Sequence, residues 1–442
     1  MKANSHSISH RERVFLVGVG VKRASRFPGV DAGVAERESL LELEELARSA
    51  GAEVAGSLLQ MRDAIDPATL VGRGKLEEIK IEARMRSAEV IIFDRNLSPV
   101  QLRNIEKVAE SRVIDRSQLI LDIFARRARS REGQLQVELA QLNYVLPRLT
   151  GKGAEMSRLG GRAGLTGQGG IGMRGPGEQK LETDRRRIRD RVRKIEEMID
   201  RVRRQRSIRR QARSAVPLGT VALVGYTNAG KSTLFNALTH ADVLTSSRMF
   251  ATLDPTLRGV RLPSNRKALL SDTVGFIRDL PPGLIAAFRA TLEEVQESAV
   301  ILQVTDIANP RHEELDASVE AILEELGVKD RPRIHVFNKI DLLGEEQRAA
   351  LHTGNGNVYV SAQQGAGLDA LLQRLDEMLP VDPPVRMQIS LPVADGRTLA
   401  LIHGFGRVHH SELRDEHIRL DAEIPESLAR RLHPDVAAVS GR

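Results

Sequence analysis

Residues Val221-Ala222-Leu223-Val224-Gly225-Tyr226-Thr227-Asn228-Ala229-Gly230-Lys231-Ser232 decide the fold. Four apolar residues run into a G-x-x-x-x-G-K-[ST] pattern, and Thr233 to Leu238 continue with helical apolar spacing, so the pattern lies between a buried strand and a helix N-terminus. That context gives the pattern its meaning. Backbone N–H groups from Gly225, Tyr226, Thr227, Asn228, Ala229 and Gly230 can wrap phosphates, Lys231 can reach β and γ oxygens, and Ser232 can hold Mg²⁺.

Three further elements follow in order, each closing a strand. Leu269-Leu270-Ser271-Asp272-Thr273-Val274-Gly275 is an apolar run ending in Asp-x-x-Gly, about forty residues after the P-loop. Asp272 supplies a carboxylate to the metal's surroundings, and Gly275 an N–H for a γ-phosphate. Ile334 to Phe337 leads into Asn338-Lys339-Ile340-Asp341. Guanine presents N1–H and an exocyclic amine on one edge, and a fixed carboxylate at Asp341 pairs with both, whereas adenine would leave it unsatisfied. The base implied is guanine. Val358-Tyr359-Val360 then leads into Ser361-Ala362-Gln363, whose backbone N–H groups suit the guanine O6. Four such elements at strand C-terminal ends describe one crevice.

Between the P-loop and Asp272 lies Phe250-Ala251-Thr252-Leu253-Asp254-Pro255-Thr256. A hydroxyl is needed here for Mg²⁺ and to couple the γ-phosphate to loop order. Both Thr252 and Thr256 qualify, with Thr252 preferred. The residue after Asp-x-x-Gly, where some GTPases carry a water-orienting glutamine, is Phe276, which cannot polarise water. Slow intrinsic hydrolysis is expected, with Lys231, Thr252, Gly275 and Asn228 as the catalytic set.

Upstream, Val14 to Gly20 reads as a strand, Ala35 to Ala50 as a helix ending at Gly51, and a helix around Lys75 to Ala88 precedes a strand at Val90 to Asp94. A further helix begins near Ser98-Pro99, giving a βαβα rhythm. Next, Leu135, Leu139, Leu142, Leu146 and Leu149 fall at i, i+4, i+7, i+11 and i+14, and Ile188, Val192, Ile195, Ile199 and Val202 repeat that spacing. Between these two helices Gly151 to Gly177 holds 11 glycines in 27 residues, too many for regular structure. An antiparallel helical hairpin with a glycine-rich tip is expected. Gly167, Gly169 and Gly172 stand in GxGxxG order, but no strand precedes them and a dinucleotide site is rejected.

Charge is concentrated beside that tip. Lys180 to Arg213 carry 15 Lys or Arg against 6 Asp or Glu, a local +9 against +7 for the whole chain, so the remainder is −2. A solvated helix face with internal salt bridges accounts for part of this pattern, and the neighbouring glycine-rich tip favours a phosphate backbone as partner. Past Leu379, an alternating run at Met387 to Pro392, a strand at Thr398 to His403 and a helix at Glu426 to Leu432 suggest a small α/β tail. His409-His410 reads as a surface pair, not a metal site.

Composition removes several classes. The 442 residues exceed one ordinary core, and the absence of cysteine excludes disulfides, thiolate metal sites and cysteine nucleophiles. With aromatics at 3% and no Trp, stacking platforms for single-stranded RNA are disfavoured. No uninterrupted apolar stretch reaches membrane-spanning length and the start lacks a secretory signal, so a cytoplasmic protein is expected. The expected organisation is α/β throughout: an amino-terminal α/β domain (1–112), a helical hairpin with glycine-rich tip and basic helix (113–215), a P-loop G domain with a mostly parallel sheet flanked by helices (216–380), and a small carboxy-terminal α/β domain (381–442).

The motifs GYTNAGKS, FATLDPT, DTVGF, NKID and SAQ, preceded by VGRGK at Val71 to Lys75 and GGIGMRGPGEQKLETDRR at Gly169 to Arg187, closely resemble those of the HflX family of GTPases. The resemblance covers roughly residues 10 to 380. It implies a G domain that switches binding of the amino-terminal domain and hairpin to the 50S ribosomal subunit and its 23S rRNA, separation of stalled or idle 70S ribosomes as the activity, a monomeric protein, and some ATP hydrolysis. Several GTPases with an apolar residue after Asp-x-x-Gly also carry asparagine at the Asn228 position, which implies K⁺ held against the phosphates. The competing class is a GTPase serving RNA modification or ribosome assembly. No separate catalytic constellation is legible in the sequence, which favours the switch.

Overall fold

The computed structural model describes residues 12–22, 32–149, 176–213, 219–239, 249–250, 256–278, 294–351, 356–380, 382–414 and 416–432, with backbone alone at 176–181, 206–213, 397, 427 and 431. The chain begins with β1 (Arg13–Val21), α1 (Ala32–Ser49), β2 (Glu53–Arg62), α2 (Arg73–Met85), β3 (Val90–Phe93), α3 (Pro99–Ala109), β4 (Arg112–Asp115) and α4 (Arg116–Arg127). The four strands form a parallel sheet in the order β2-β1-β3-β4. Seven consecutive buried residues in β1 suit a central parallel strand covered on both faces. Ser98 and Gln101 close a capping box at α3, with Pro99 in the first turn, so this helix starts where its sequence signals place it.

A hairpin follows from α5 (Arg131–Val145) and α6 (Pro176–Arg213). Leu135 packs with Ile195 and Ile199, flanked by Leu139, Leu142 and Met198, while Arg191 grips Glu138 through two hydrogen bonds of 2.7 and 2.8 Å. Position rises along α5 as it falls along α6, so the pair is antiparallel. Pro176 and Gly177, expected to be irregular, open α6, as proline in a first helical turn allows. Gly151 to Gly175 lie outside the described residues.

Next come β5 (Gly219–Val224), α7 (Lys231–Thr239), β6 (Thr256–Arg261), β7 (Lys267–Asp272), β8 (Val300–Asp306), α8 (His312–Glu325), β9 (Arg333–Asn338), α9 (Glu345–Ala349), β10 (Asn357–Tyr359) and α10 (Leu368–Met378). Their sheet runs β10-β9-β8-β5-β7-β6, parallel except for β6. Strand β6 was not legible in the sequence. Thr256, the second candidate hydroxyl, opens it opposite Asp272.

The tail contains β11 (Pro384–Pro392), α11 (Gly396–Phe405), β12 (Arg407–Arg414), β13 (His417–Pro425) and α12 (Glu426–Leu432), its antiparallel strands ordered β11-β13-β12. The strand expected at Thr398 to His403 is wrong: these residues lie within α11, where Asp395 accepts a hydrogen bond from the Thr398 N–H at 3.1 Å. Its apolar run has no period that separates strand from helix, and the cap decides. Among the described residues no helix is long and apolar enough to cross a membrane.

One buried apolar cluster continues from the first sheet into the second. It joins Val14, Leu43 and Phe124 to Tyr226, Phe250 and Phe276, with the Phe124 and Phe250 rings edge to face at 4.5 Å. The P-loop therefore has the amino-terminal sheet's helices as a neighbour.

Candidate nucleotide site

Strand β5 ends at the P-loop, β7 at Asp272, β9 at Asn338 and β10 just before Ser361, so the parallel sheet brings all four sequence elements to one edge. The P-loop's shape depends on glycine. Gly225 has φ +151°, and a Cβ there would stand 2.2 Å from the Val304 carbonyl oxygen; Gly230, at φ +90°, leaves no more than 2.3 Å to the Asn338 amide nitrogen. Asn228 adopts the left-handed region at φ +63°, which asparagine tolerates better than most residues.

Lys231 is buried and donates to the carbonyl oxygens of Gly225 at 3.0 Å and Tyr226 at 2.7 Å. Burial pushes its pKa down to about 8, with the nearby Asp272 carboxylate opposing that shift. Ser232 Oγ donates to Asp272 Oδ2 at 2.8 Å. A hydroxyl and a carboxylate side by side form a hard-oxygen set that fits Mg²⁺. Thr227 Oγ1 is buried with no hydrogen-bond partner among the described residues, a donor available to a phosphate oxygen. Thr273 and Val274 are buried, and Thr273 Oγ1 donates to the Leu223 carbonyl at 2.5 Å, so these two residues brace the loop between Asp272 and Gly275.

On the other side of the P-loop, Asn338 ties three elements together. Its Nδ2 donates to the Ala229 carbonyl at 2.9 Å and its Oδ1 accepts from the Ala362 N–H at 3.0 Å. Asp341 accepts from Ser361 Oγ at 2.5 Å, and the Ile340 N–H donates to the Val360 carbonyl at 3.3 Å. Lys339, at φ +66°, pairs with Asp306 at 2.7 Å, while Gln363 is exposed. Such an arrangement can hold a planar base against a fixed carboxylate and thread its phosphates through the P-loop. Ala251, Thr252, Leu253 and Asp254 lie outside the described residues; Phe250 is buried against Phe124, and the preceding Met249 N–H donates to Ser49 Oγ at 2.9 Å.

The close approach of α1 to this site has no local signal in the sequence. A cavity of about 290 Å³ separates Thr227 and Asn228 from Glu45 on α1. Around it the Tyr226 hydroxyl donates to Glu42 at 2.5 Å, and Arg311 pairs with Glu38. Glu42 is indistinguishable in sequence from other solvated helix glutamates, so only the packing identifies it.

Comparison with known proteins agrees with this geometry. Family models described as GTP-binding GTPase N-terminal, GTP-binding GTPase Middle Region and 50S ribosome-binding GTPase match residues 37–125, 127–213 and 220–339. The chain is 45% identical over 398 residues to GTPase HflX of Caldanaerobacter subterraneus, covering 90% of each chain. It is 42% identical over 401 residues to GTPase HflX of Escherichia coli K12, covering 90% of this chain and 92% of that one. Among solved structures it is similar to a GTP-binding protein from Sulfolobus solfataricus in complex with GDP, at 23% identity and a TM-score of 0.44, over 83% of this chain and 98% of that one. With a P-loop, Asp-x-x-Gly, Asn-Lys-x-Asp and Ser-Ala elements on one sheet edge and relatives this similar along nearly its whole length, the chain is a GTPase and belongs to the HflX family.

Proposed function

We propose that this GTPase is a switch that binds the 50S subunit and 70S ribosomes and promotes subunit splitting or the rescue of stalled ribosomes in the cytoplasm. The observation that carries the reading is the placement of charge on α6. Its apolar stripe, Ile195 and Ile199, is consumed against α5, and Arg186, Arg187, Arg189, Arg193, Lys194, Arg201 and Arg204 are left exposed. An outward row of cationic side chains is suited to a phosphate backbone such as that of 23S rRNA. The match to a family described as a 50S ribosome-binding GTPase supports the same partner.

In this reading residues 1–112, 113–215, 216–380 and 381–442 act as four domains of a monomer, and the site residues divide the work. Gly225 to Ser232 cradle the phosphates, Lys231 neutralises charge between β and γ oxygens, and Gly275 offers its N–H to the γ-phosphate. Asp341 pairs with the guanine edge, Asn338 and Lys339 hold the loop that carries it, and Ser361 to Gln363 close over the base. Ser232 and Thr252 would hold Mg²⁺, with the Asp272 carboxylate in its surroundings, and the ion would draw charge from the phosphate oxygens. Asn228 lends its side-chain oxygen to K⁺, compensating for Phe276 at the water-orienting position. Phe276 is 3% exposed in the apolar cluster shared with the amino-terminal helices, so its side chain serves packing. The test is light scattering of 70S ribosomes with GTP: splitting is expected from the full chain, and charge reversal at Arg186, Arg189 and Arg193 is expected to weaken it and flatten its salt dependence. Undiminished splitting by that variant contradicts the reading.

A further inference from the structure

Backbone bonds close the gap between the P-loop and the segment after Asp272. The Phe276 N–H donates to the Gly225 carbonyl at 3.1 Å and the Thr227 N–H to the Phe276 carbonyl at 2.8 Å. Gly275 is pressed into the P-loop: a Cβ there would stand 2.9 Å from Thr227 Cα and 3.0 Å from Lys231 Nζ. Lys231 meanwhile spends its protons on P-loop carbonyls. A γ-phosphate has to lie between the lysine amine and the Gly275 N–H, so its arrival must separate the two segments. GDP makes no such demand.

One side chain reinforces the closed arrangement from outside. The Tyr226 hydroxyl accepts from the Arg278 N–H at 3.0 Å and donates to Glu42 Oε1 at 2.5 Å. Glu42 Oε2 pairs with Arg116 at 2.9 Å, and Arg116 with Asp94 at 2.8 Å, next to the C-terminal end of β3. Tyr226, Arg116 and Asp94 are buried, at 8%, 1% and 1% exposed, while Glu42 is partly buried at the edge of the cavity, so the Arg116 end of the line is the part shielded from water. It runs from three residues past Gly275 into the amino-terminal sheet. Opening the loop for a γ-phosphate pulls Arg278 away from a hydroxyl that Glu42 holds in place.

We propose that Tyr226 is a positioning residue through which the amino-terminal domain biases the nucleotide site toward GDP and against GTP. The proposal rests on the nucleotide site described above. GTP binding then does work on the domain contact, and a partner that takes up the amino-terminal domain releases the bias.

The test compares titrations of fluorescent GDP and a fluorescent non-hydrolysable GTP analogue into the full-length wild type, Tyr226→Phe and Glu42→Gln. In Tyr226→Phe the ratio of analogue Kd to GDP Kd is expected to fall about tenfold, the scale of one lost hydrogen bond to a charged network. Glu42→Gln, which keeps an acceptor but loses the charge, is expected to shift the ratio in the same direction by less. An unchanged ratio in Tyr226→Phe, or equal weakening of both nucleotides, overturns the proposal. If thermal melting shows that Tyr226→Phe does not fold, an unchanged ratio in Glu42→Gln overturns it alone. Failure of the wild type to bind either nucleotide instead contradicts the assignment of the site itself.

Discussion

Ser361 Oγ donates to Asp341 Oδ1 at 2.5 Å, locking the carboxylate that follows β9 to the loop that follows β10. Ser361 is wholly buried and Asp341 partly so, and the bond between them orients the carboxylate before any base arrives. Asp341→Asn replaces an acceptor with a donor where guanine also donates. GTP affinity is expected to fall about 100-fold, with affinity for xanthosine triphosphate rising in its place. Competition binding with the two nucleotides checks this, and unchanged GTP affinity removes Asp341 from the site.

Lys231 gives the site a pH dependence. Its pKa in the folded chain is pushed down to about 8 by burial, from an ordinary lysine value of about 10.5. Between those values the unfolded chain binds more protons, so stability of the nucleotide-free protein is expected to rise with pH through that window. Phosphates stabilise the charged amine, so binding takes up a proton once pH passes about 8, and GDP affinity is expected to fall by up to about tenfold per pH unit there. Calorimetry in buffers of different ionisation enthalpy measures the uptake. A Lys231→Ala variant that keeps the same slope excludes the lysine as its source.

Asn228 stands in the left-handed region on the cavity side of the P-loop. If its side-chain oxygen holds K⁺, GTP turnover is expected to be about fivefold faster in K⁺ than in Na⁺ at equal ionic strength, and Asn228→Ala to erase the difference. Equal rates in the two salts, with and without ribosomes, would move the missing catalytic group to the partner.

The parts of the fold that were legible are those where a local signal fixes the outcome. Gly225 and Gly230 announce a loop only glycine can make, Ser98-Pro99 with Gln101 announces a helix start, and leucine spacing announces the hairpin. Thr398 to His403 failed because a continuous apolar run fits either state, and Asp395 settled it. Strands β2 and β6 were missed for lack of a clean alternation: only the first and fifth residues of β2 are exposed and the rest partly buried, and β6 is a half-solvated edge. The contact of Tyr226 with Glu42 spans 184 residues, and neither residue carries a mark of the other. Long-range packing of this kind has no local period to read.

Arg116 tests that packing as stability. It is 1% exposed and pairs with Asp94 and Glu42; burial works against its charge, but those two carboxylates hold it protonated. Arg116→Ala strips the guanidinium from both, and unfolding free energy is expected to fall by about 3–5 kcal/mol in urea titrations. A loss under about 1 kcal/mol would mean the pairs are solvated and weak.

The central claim, that GTP hydrolysis here is a timer for an encounter with the ribosome, is tested most directly by GTP turnover measured with 50S subunits, with 70S ribosomes and with free tRNA. Turnover is expected to rise strongly with 50S and 70S particles and to stay at its intrinsic rate with tRNA, and deletion of residues 151–175 is expected to abolish the stimulation while leaving the intrinsic rate intact. Stimulation by tRNA alone, or none by either particle, would contradict the ribosome switch and leave a GTPase serving RNA modification or assembly as the better account.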